Sequence, residues 1–404
     1  MNTSTKPKIS SLILRIVAIF AGVALLAFTL AEVCLAYQPT KALFAGELTF
    51  KEYTQAVQKE MTESAAGKYA FINLNGLYCR LTGRNVCNQV MRLDNGMLTN
   101  LSPERFDMTP AADGIAELTR YCEARGTKLI FALPPAKLDA NSEILIPGEV
   151  DHSNENGDEL LSLLAERGVD TVDLREYLAQ TPEQIEQYFF RTDHHWNFTG
   201  AFVAYQKLTE LLDERFPSAG IDLSRADMAN WEAHTLLNWM LGSQGKRTGV
   251  YFGGTDDITY YTPLFETHSS CDVPEYSGGS AYYEGDFVEA NIRDEYLGER
   301  PDLFEASPYD MYIGGEYHLV RHRSDTAPSD LKLMIIKDSF TLPIQAFMST
   351  QFQSIDVLDP RYDGDTAAEH IAATAPDAVL VLLSPQSAGS YPQYADYGVK
   401  ATEN

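Results

Sequence analysis

Hydrophobic residues are distributed unevenly along the chain, and the first forty positions differ from those that follow. Residues 16–30 read IVAIFAGVALLAFTL without a charged side chain, and flanking apolar residues extend this run to the roughly 20 that span a bilayer. Three bases, Lys6, Lys8 and Arg15, precede the run, and such charges favour the cytoplasmic side of a membrane. The pattern predicts a cytoplasmic stub and a transmembrane signal anchor over residues 1–40, with the remainder extracytoplasmic; a cleaved signal peptide is the alternative.

The hydrophobic period changes again after the anchor. Residues 41–110 form a predicted N-terminal extension of mixed helices and turns, in which Asp94-Asn95-Gly96 predicts a hairpin. Over residues 111–395, amphipathic helices alternate with short apolar strands, which are predicted at residues 128–133, 169–174, 333–336, 354–358 and 378–383. This alternation indicates an α/β fold, in which helices cover both faces of a parallel sheet. Ligands of such sheets bind at the carboxyl ends of the strands.

Residues 220–330 interrupt the alternation. They are rich in Gly, Tyr and Asp, and they show no long hydrophobic period. Within them, residues 249–257 (GVYFGGTDD) are predicted to form a loop rather than a helix. We expect an insertion in the sheet domain that could carry substrate contacts.

The net charge and the number of cysteines exclude two classes of protein, nucleic-acid binders and disulfide scaffolds. The chain has 404 residues and a net charge of −26; residues 1–40 carry three bases against one acid, so the other 364 residues carry −28. We expect no nucleic-acid partner, because proteins that bind nucleic acid present basic patches. Five cysteines are too few for a disulfide scaffold. Cys79 and Cys87 flank a predicted turn, where either a local disulfide or free buried thiols fit.

The first polar cluster, Arg191-Thr192-Asp193-His194-His195, precedes a predicted helix. Histidine is the usual general base near neutral pH, and a carboxylate commonly fixes its tautomer. Side chains at positions i and i+2 point the same way in an extended segment, so Asp193 is placed to orient His195. A surface role for the histidines is one alternative. A metal site at Asp193, His194 and His195 is another, although no further spaced ligand motif accompanies them.

The second polar cluster, Asp338-Ser339, directly follows the predicted strand at 333–336. A serine at a sharp strand-to-helix turn exposes its hydroxyl at the sheet edge, as a nucleophile requires. The start of the helix presents N–H groups that can stabilise an oxyanion. Taken alone, the same residues are also typical of a helix N-cap.

The segment DHHWN (residues 193–197), followed by TGA, and the downstream KDSF (residues 337–340) together resemble the DHHW proteins. These belong to the SGNH (GDSL-type) hydrolase superfamily, near the alginate O-acetylation proteins and the teichoic-acid D-alanylation protein. Three further segments resemble the same family: LPPAK (133–137), RTGVYFGGTDD (247–257) and LDPRY (358–362). The resemblance covers roughly residues 70–390 and implies a flavodoxin-like parallel sheet.

The resemblance implies a Ser–His–Asp triad, with Ser339 as nucleophile, His195 as general base and Asp193 as its orienting acid. The serine motif comes last in the chain, whereas it comes first in typical secreted GDSL esterases. The resemblance therefore implies a circularly permuted domain, and triads are recognised by geometry rather than by chain order.

The sequence departs from the GDSL pattern around the oxyanion hole. Lys337 stands where GDSL enzymes have glycine, and the glycine and asparagine blocks that complete the hole in simpler relatives are not visible. The backbone N–H of Ser339 is one expected donor. Lys137, Arg247 and Tyr251 are the remaining candidates for oxyanion or substrate binding.

The function implied by the resemblance is a membrane-anchored, extracytoplasmic serine acyltransferase of the bacterial cell envelope. It would O-acetylate a cell-surface polysaccharide through acyl-Ser339, without a metal or organic cofactor. A multispanning membrane O-acyltransferase is the implied partner that delivers the acyl group. One alternative is an esterase that removes acetyl groups with the same triad. The alternative of another class is a non-catalytic polysaccharide-binding or assembly protein.

Overall fold

The computed structural model describes residues 33–63, 67–276 and 279–399, together with isolated positions between 16 and 30. The chain divides into two compact units, residues 1–75 and residues 76–404. Among the described residues, no helix has the length and apolar character needed to cross a bilayer. The predicted anchor over residues 1–40 lies largely outside the described residues and stays a prediction.

The first unit is helical where it is described. It contains α1 (Tyr37–Phe44), α2 (Phe50–Glu63) and most of α3 (Lys68–Leu81). A reciprocal pair of contacts starts α2: the backbone N–H of Thr49 donates to the Glu52 carboxylate at 2.7 Å, and the Glu52 N–H donates to the Thr49 hydroxyl at 3.3 Å. Such a capping box satisfies N–H groups that the helix itself leaves unpaired.

Where it is described, the second unit contains three sheets and the remaining helices. Its strands are β1 (Val86–Cys87), β2 (Val90–Arg92), β3 (Leu98–Thr99), β4 (Lys128–Leu133), β5 (Asp170–Asp173), β6 (Trp231–Met240), β7 (Asp256–Pro263), β8 (Ser269–Tyr276), β9 (Gly279–Gly285), β10 (Leu319–Ser324), β11 (Ser329–Lys337), β12 (Phe352–Leu358) and β13 (Ala378–Leu382). Its helices are α4 (Thr109–Glu123), α5 (Ser153–Glu166), α6 (Arg175–Leu178), α7 (Pro182–Tyr188), α8 (Phe198–Arg215), α9 (Ser243–Thr248), α10 (Val250–Gly253), α11 (Phe287–Asn291), α12 (Leu342–Met348), α13 (Ala367–Thr374) and α14 (Pro385–Ser390).

The main sheet has eight strands in the order β5-β4-β13-β11-β12-β10-β8-β9. The first five are parallel, and they are the five strands that the apolar runs predicted. The other three are antiparallel. Counted from β11, the strand that leads to Ser339, the parallel strands follow the order 2-1-3-4-5 of flavodoxin-like sheets. The topology thus agrees with the predicted α/β class and with the circular permutation.

Both faces of the sheet are covered, as β4 illustrates. Ile130 and Ala132 face one hydrophobic core, and Leu129, Phe131 and Leu133 face the other. Helices α8 and α12 pack on the first face, and α4, α5 and α13 pack on the second. Because side chains of a strand alternate, a strand that is apolar throughout requires this double cover. Burying one large apolar side chain such as Phe131 contributes roughly 1.5–3 kcal/mol.

The region 220–330 is more ordered than its sequence suggested. Strands β8, β9 and β10 extend the main sheet, and β6 and β7 form a separate two-stranded antiparallel sheet. The prediction of a loop over residues 249–257 was wrong, because α10 and the start of β7 occupy most of it. Helix α10 is flanked by Gly249 and Gly254, whose φ angles of +81° and +84° favour glycine and turn the chain at each end of the helix. Helices this short leave no hydrophobic period to detect.

The predicted hairpin at Asp94-Asn95-Gly96 is confirmed. It joins β2 to the antiparallel β3, and Gly96 adopts a φ of +86°. No disulfide joins cysteines in the described part of the chain, so the predicted local disulfide between Cys79 and Cys87 is not formed. Cys79 and Cys87 instead lie together in a small buried cluster, where burial raises the pKa of the Cys87 thiol to about 12.

We predict that Gly114→Ala destabilises the second unit. An added Cβ in α4 would lie 2.4 Å from the backbone oxygen of Ala395, and backbone cannot move aside as a side chain can. Overpacking of this kind costs about 1–3 kcal/mol, of which the helix propensity of alanine offsets up to about 1 kcal/mol. Denaturant unfolding measures the difference. Gly298→Ala, whose Cβ meets nothing within 4 Å, is the control; equal stability of the two variants would contradict the prediction.

Candidate active site

The DHHW segment forms a short loop between α7 and α8. An isolated antiparallel bridge joins Phe189 to Trp196 and closes the loop at its base. Asn197 ends the loop as the N-cap of α8, where its side-chain oxygen accepts the N–H of Gly200 at 2.9 Å. The loop is therefore held at both ends by local contacts that its own sequence provides.

Ser339 lies in the tight turn that follows β11, at the carboxyl end of the parallel sheet. Asp338 is the N-cap residue: its Oδ1 accepts the N–H of Phe340 at 3.0 Å, and its Oδ2 accepts the N–H and hydroxyl of Ser384 at 2.9 and 2.7 Å. The N-cap interpretation thus applies to Asp338. The hydroxyl of Ser339 is left to face the DHHW loop.

Three side chains predicted from separate motifs form one hydrogen-bonded relay. His195 Nε2 lies 2.7 Å from Ser339 Oγ, and His195 Nδ1 lies 2.6 Å from Asp193 Oδ1. Because a carboxylate only accepts, Nδ1 is assigned as the donor to Asp193. Nε2 then keeps the lone pair that can accept the Ser339 proton. This is the order of contacts that a serine nucleophile, a general base and an orienting acid require.

The Asp193 carboxylate is buried and ionised. Burial alone would raise its pKa, but the charges that His194 and His195 can carry and the donated hydrogen bonds hold the pKa of Asp193 well below its usual value. Its second oxygen accepts the backbone N–H of Ser243 at 2.6 Å. The anion therefore stays fixed under the imidazole across the neutral pH range.

Two buried charged residues hold the backbone of the loop. Lys137 Nζ donates to the carbonyl oxygens of Arg191 and Asp193 at 2.9 and 2.8 Å. Asp256 accepts the N–H of Thr192 at 2.9 Å and also binds the Thr192 hydroxyl. Burial lowers the pKa of Lys137 to about 7, partly against the attraction of Asp256 and Asp193. Lys137, a predicted candidate, thus reaches the site as a support of the loop.

The other two candidates from the loops are not brought to Ser339. Arg247 donates to the backbone oxygen of Asn88 at 2.7 Å and to the side chain of Asn100 at 3.2 Å. Tyr251 is 56% exposed and does not line the pocket described below. They lie on the short helices α9 and α10, and neither side chain lines the cavity at Ser339.

Aromatic side chains surround the base. Trp196 is fully buried and donates its Nε1–H to the carbonyl of Phe340 at 3.1 Å, so it packs under the loop and offers no face to a sugar. Tyr309, from the region 220–330, stacks on the His195 ring. Neither Tyr309 nor Asp256 was predicted as a site residue from the sequence. Asp256 lies inside the RTGVYFGGTDD segment, whereas the residues around Tyr309 contain no motif that would mark it as part of the site.

A buried ion-pair network lies under the nucleophile. Lys337 is fully buried and pairs with Glu316, and its Nζ lies 3.6 Å from Asp359. Arg361 donates to both carboxylates, at 3.1 Å and 2.6 Å. Although burial opposes it, these carboxylates raise the pKa of Lys337. The lysine that replaces the GDSL glycine is therefore a paired structural charge.

Ser339 opens into a cavity of about 390 Å³. The cations that line it, Lys137 and Arg361, already bind carbonyl or carboxylate oxygens. Uncharged polar side chains supply much of the remaining wall, among them Thr99, Asn100, Ser102, Asn156, Ser384 and Ser387. A cleft of this size and polarity suits a sugar hydroxyl and a small acyl group.

The ligand atoms of Asp193, His194 and His195 lie within 4.8 Å of one another, as a metal site would require. Both ring nitrogens of His195, however, are engaged by Ser339 and Asp193. A metal bound there would have to break the relay. The donor set therefore fits proton transfer better than metal binding.

Part of the chain matches a known family model, and several solved structures share its fold. Residues 96–235 match the family model described as SGNH hydrolase-like domain, acetyltransferase AlgX, a range that contains Asp193 and His195. No curated protein sequence matches the chain. PatB1 of Bacillus cereus has a similar structure, with a TM-score of 0.61 and 21% identity over 75% of this chain and 98% of its own.

Two further solved structures share the fold. PatB1 with a sulfonyl adduct gives a TM-score of 0.60 at 20% identity, over 75% of this chain and 96% of its own. A DHHW family protein from Eubacterium siraeum DSM 15702 gives 0.55 at 18% identity, over 77% and 95%. These matches confirm the resemblance that the DHHWN and KDSF segments predicted: the chain has an SGNH-like α/β fold and resembles the DHHW proteins.

Proposed function

We propose that the protein is an extracytoplasmic serine acyltransferase that O-acetylates a cell-surface polysaccharide. The observation that carries the proposal is the relay from Asp193 through His195 to Ser339, which opens directly into a polar cleft. The acetyltransferase description of the matched family model supports the same class of reaction.

The first half-reaction acylates the enzyme. His195 Nε2 takes the proton of Ser339 Oγ as Oγ attacks the carbonyl carbon of an acyl ester or thioester. Collapse of the tetrahedral intermediate breaks the bond to the leaving group, which takes the proton back from the imidazolium. The product is acyl-Ser339, and Asp193 stabilises the transient positive charge on the imidazole.

The second half-reaction moves the acyl group to the acceptor. A sugar hydroxyl gives its proton to His195 and attacks the ester carbonyl of acyl-Ser339. The Ser339 oxygen leaves and recovers its proton, which completes the cycle. In both halves we expect the backbone N–H of Ser339 to donate to the oxyanion, because Ser339 is the first residue of its turn and its N–H has no intrahelical acceptor.

We propose an uncharged region of polysaccharide as the acceptor. The lining cations are already paired, and two further arginines of the sheet, Arg321 and Arg323, pair with Asp272 and Asp356 at 3.4 and 2.7 Å. Residues beyond position 40 carry a net charge of −28, which repels an anionic polymer. Neutral hydroxyl and amide groups in the cleft match a neutral sugar instead.

The proposal places the catalytic domain outside the cytoplasmic membrane, with residues 1–40 as its anchor. A multispanning membrane O-acyltransferase is the proposed partner, because the acyl donor must cross the bilayer to reach Ser339. Anchoring would keep the cleft close both to that partner and to a polymer leaving the cell.

Ser339→Ala is expected to lower the rate of p-nitrophenolate release from p-nitrophenyl acetate by about 10⁴-fold or more, because the nucleophile is removed. Ser224→Ala, which alters a serine in an exposed turn outside the cleft, is the control. A neutral oligosaccharide is included, and the products are separated: acetylated sugar supports the transferase, and free acetate alone supports the esterase. Undiminished turnover by Ser339→Ala would contradict the serine mechanism.

Asp193→Asn is expected to lower kcat by about 10⁴-fold, because an amide can present its NH₂ to His195 Nδ1 and favour the wrong tautomer. The pH–rate profile and kcat are measured together. Asp330→Asn, at an exposed position of β11, serves as the matched control. If Asp193→Asn kept wild-type kcat, the orienting role would be wrong.

A chelator is expected to leave acylation unchanged, because the proposed steps use only protein groups. The rate of p-nitrophenolate release is compared before and after exhaustive dialysis against EDTA. Loss of activity that zinc restores would show instead that Asp193, His194 and His195 act as metal ligands.

A further inference from the structure

We propose that Tyr309 is a positioning residue that holds both the imidazole plane of His195 and the backbone of Ser339 for proton transfer. This inference rests on the proposed function of the relay and assigns a role to the region 220–330, which supplies Tyr309. The tyrosine would touch neither substrate nor the transferred proton.

The ring of Tyr309 fixes the ring of His195 by stacking. The two centroids lie 3.9 Å apart with 6° between the planes, and Tyr309 is only 4% exposed. The ring of His194 also lies against His195, at 3.8 Å and 37°. Contacts with both rings restrict rotation of the imidazole about its Cβ–Cγ bond, which keeps Nε2 directed at Ser339 Oγ.

The hydroxyl of Tyr309 reaches the nucleophile from the other direction. It donates to the backbone carbonyl of Ser339 at 3.0 Å, and Trp196 donates to the next carbonyl, that of Phe340, at 3.1 Å. Two aromatic side chains thus fix the carbonyl groups of Ser339 and Phe340, which belong to consecutive peptide bonds of the nucleophile turn. Burial and the surrounding carboxylates raise the pKa of Tyr309 well above its usual value, so its hydroxyl remains a donor.

Tyr309 is itself held rigidly. Its ring meets the edge of Phe190 at 6.3 Å and stacks on Phe198 at 6.0 Å, and it belongs to the 3-10 turn Pro308–Met311. Because the Tyr309 ring is locked by packing, it can hold the His195 ring in a fixed orientation, which a mobile side chain could not do. The π face also favours the imidazolium that forms on His195 during each half-reaction, since cations are attracted to aromatic faces.

The test compares Tyr309→Phe and Tyr309→Leu with Tyr312→Phe. The control removes an equally buried hydroxyl, which donates to the Tyr261 carbonyl at 3.2 Å, from a tyrosine that does not contact the relay. Rates of acylation by p-nitrophenyl acetate are measured across pH. The charged groups near His195, namely Asp193, His194 and Asp310, are unchanged in all three variants.

Tyr309→Phe is expected to lower kcat about tenfold with KM and pH profile unchanged, because it loses one hydrogen bond and keeps the stack. Tyr309→Leu is expected to lower kcat about a hundredfold and to move the acid limb of the profile to lower pH, because the imidazolium loses its aromatic face. Tyr312→Phe is expected to keep the wild-type kcat and profile. A wild-type acid limb and kcat in Tyr309→Leu, or a loss in Tyr312→Phe equal to that in Tyr309→Leu, would overturn the proposal.

A second readout separates this proposal from the proposed function. The downfield proton resonance of His195 Nδ1–H, bound to Asp193, is recorded by NMR without substrate. It is expected to persist in Tyr312→Phe and to broaden or disappear in Tyr309→Leu. If the wild type catalyses no acylation but the resonance still depends on Tyr309, the function fails and the positioning role stands. A resonance unaffected in Tyr309→Leu would overturn the positioning role whatever the activity.

Discussion

The carboxylate of Asp193 is only 5% exposed, and a charge at that depth must be matched by donors or it destabilises the fold. It accepts from His195 Nδ1, from the His195 backbone N–H and from the Ser243 backbone N–H. Breaking any one of these contacts would leave part of a buried charge unpaired. The geometry of the base therefore follows from the need to satisfy this anion.

Much of what satisfies and supports the anion comes from outside the parallel sheet. Three residues of the region 220–330 supply these contacts. Ser243 donates to Asp193, and Asp256 accepts the backbone N–H of Thr192 in the DHHW loop. Tyr309 stacks on His195 and donates to the backbone of Ser339. The region 220–330, for which substrate contacts are a prediction, thus supports the relay in the structure. The parallel sheet contributes the turn that presents Ser339, and the added elements fix the base against it.

The sequence predicts best what depends on neighbouring residues. Parallel strands covered on both faces are rich in apolar residues, so the five strands from 128–133 to 378–383 could be located closely from short runs of such residues between predicted helices. Asp193, His195 and Ser339 were found because their motifs sit at the ends of predicted elements, where α/β sheets bind ligands. The hairpin at Gly96 was found for a similar reason, since its turn residues are local.

Contacts between distant segments explain what was missed. Tyr309 lies 30 residues before Ser339 in a segment without a hydrophobic period. The residues next to it in the sequence give no indication that its ring stacks on His195. Arg247 and Tyr251 lie in a glycine-rich stretch that suggested a loop at the site, whereas they belong to short helices and do not line the cavity. Lys337 could be seen as a departure, but its pairing with Glu316 required the folded chain.

Ser339 is proposed to carry the acyl group, and mass spectrometry of the trapped intermediate tests this role most directly. The wild-type protein is mixed briefly with p-nitrophenyl acetate and quenched in acid, and its peptides are mapped. We predict one added acetyl group on the peptide that contains Ser339, which disappears when a sugar acceptor is present before the quench. An unmodified Ser339 peptide under conditions in which p-nitrophenolate is released would contradict the account.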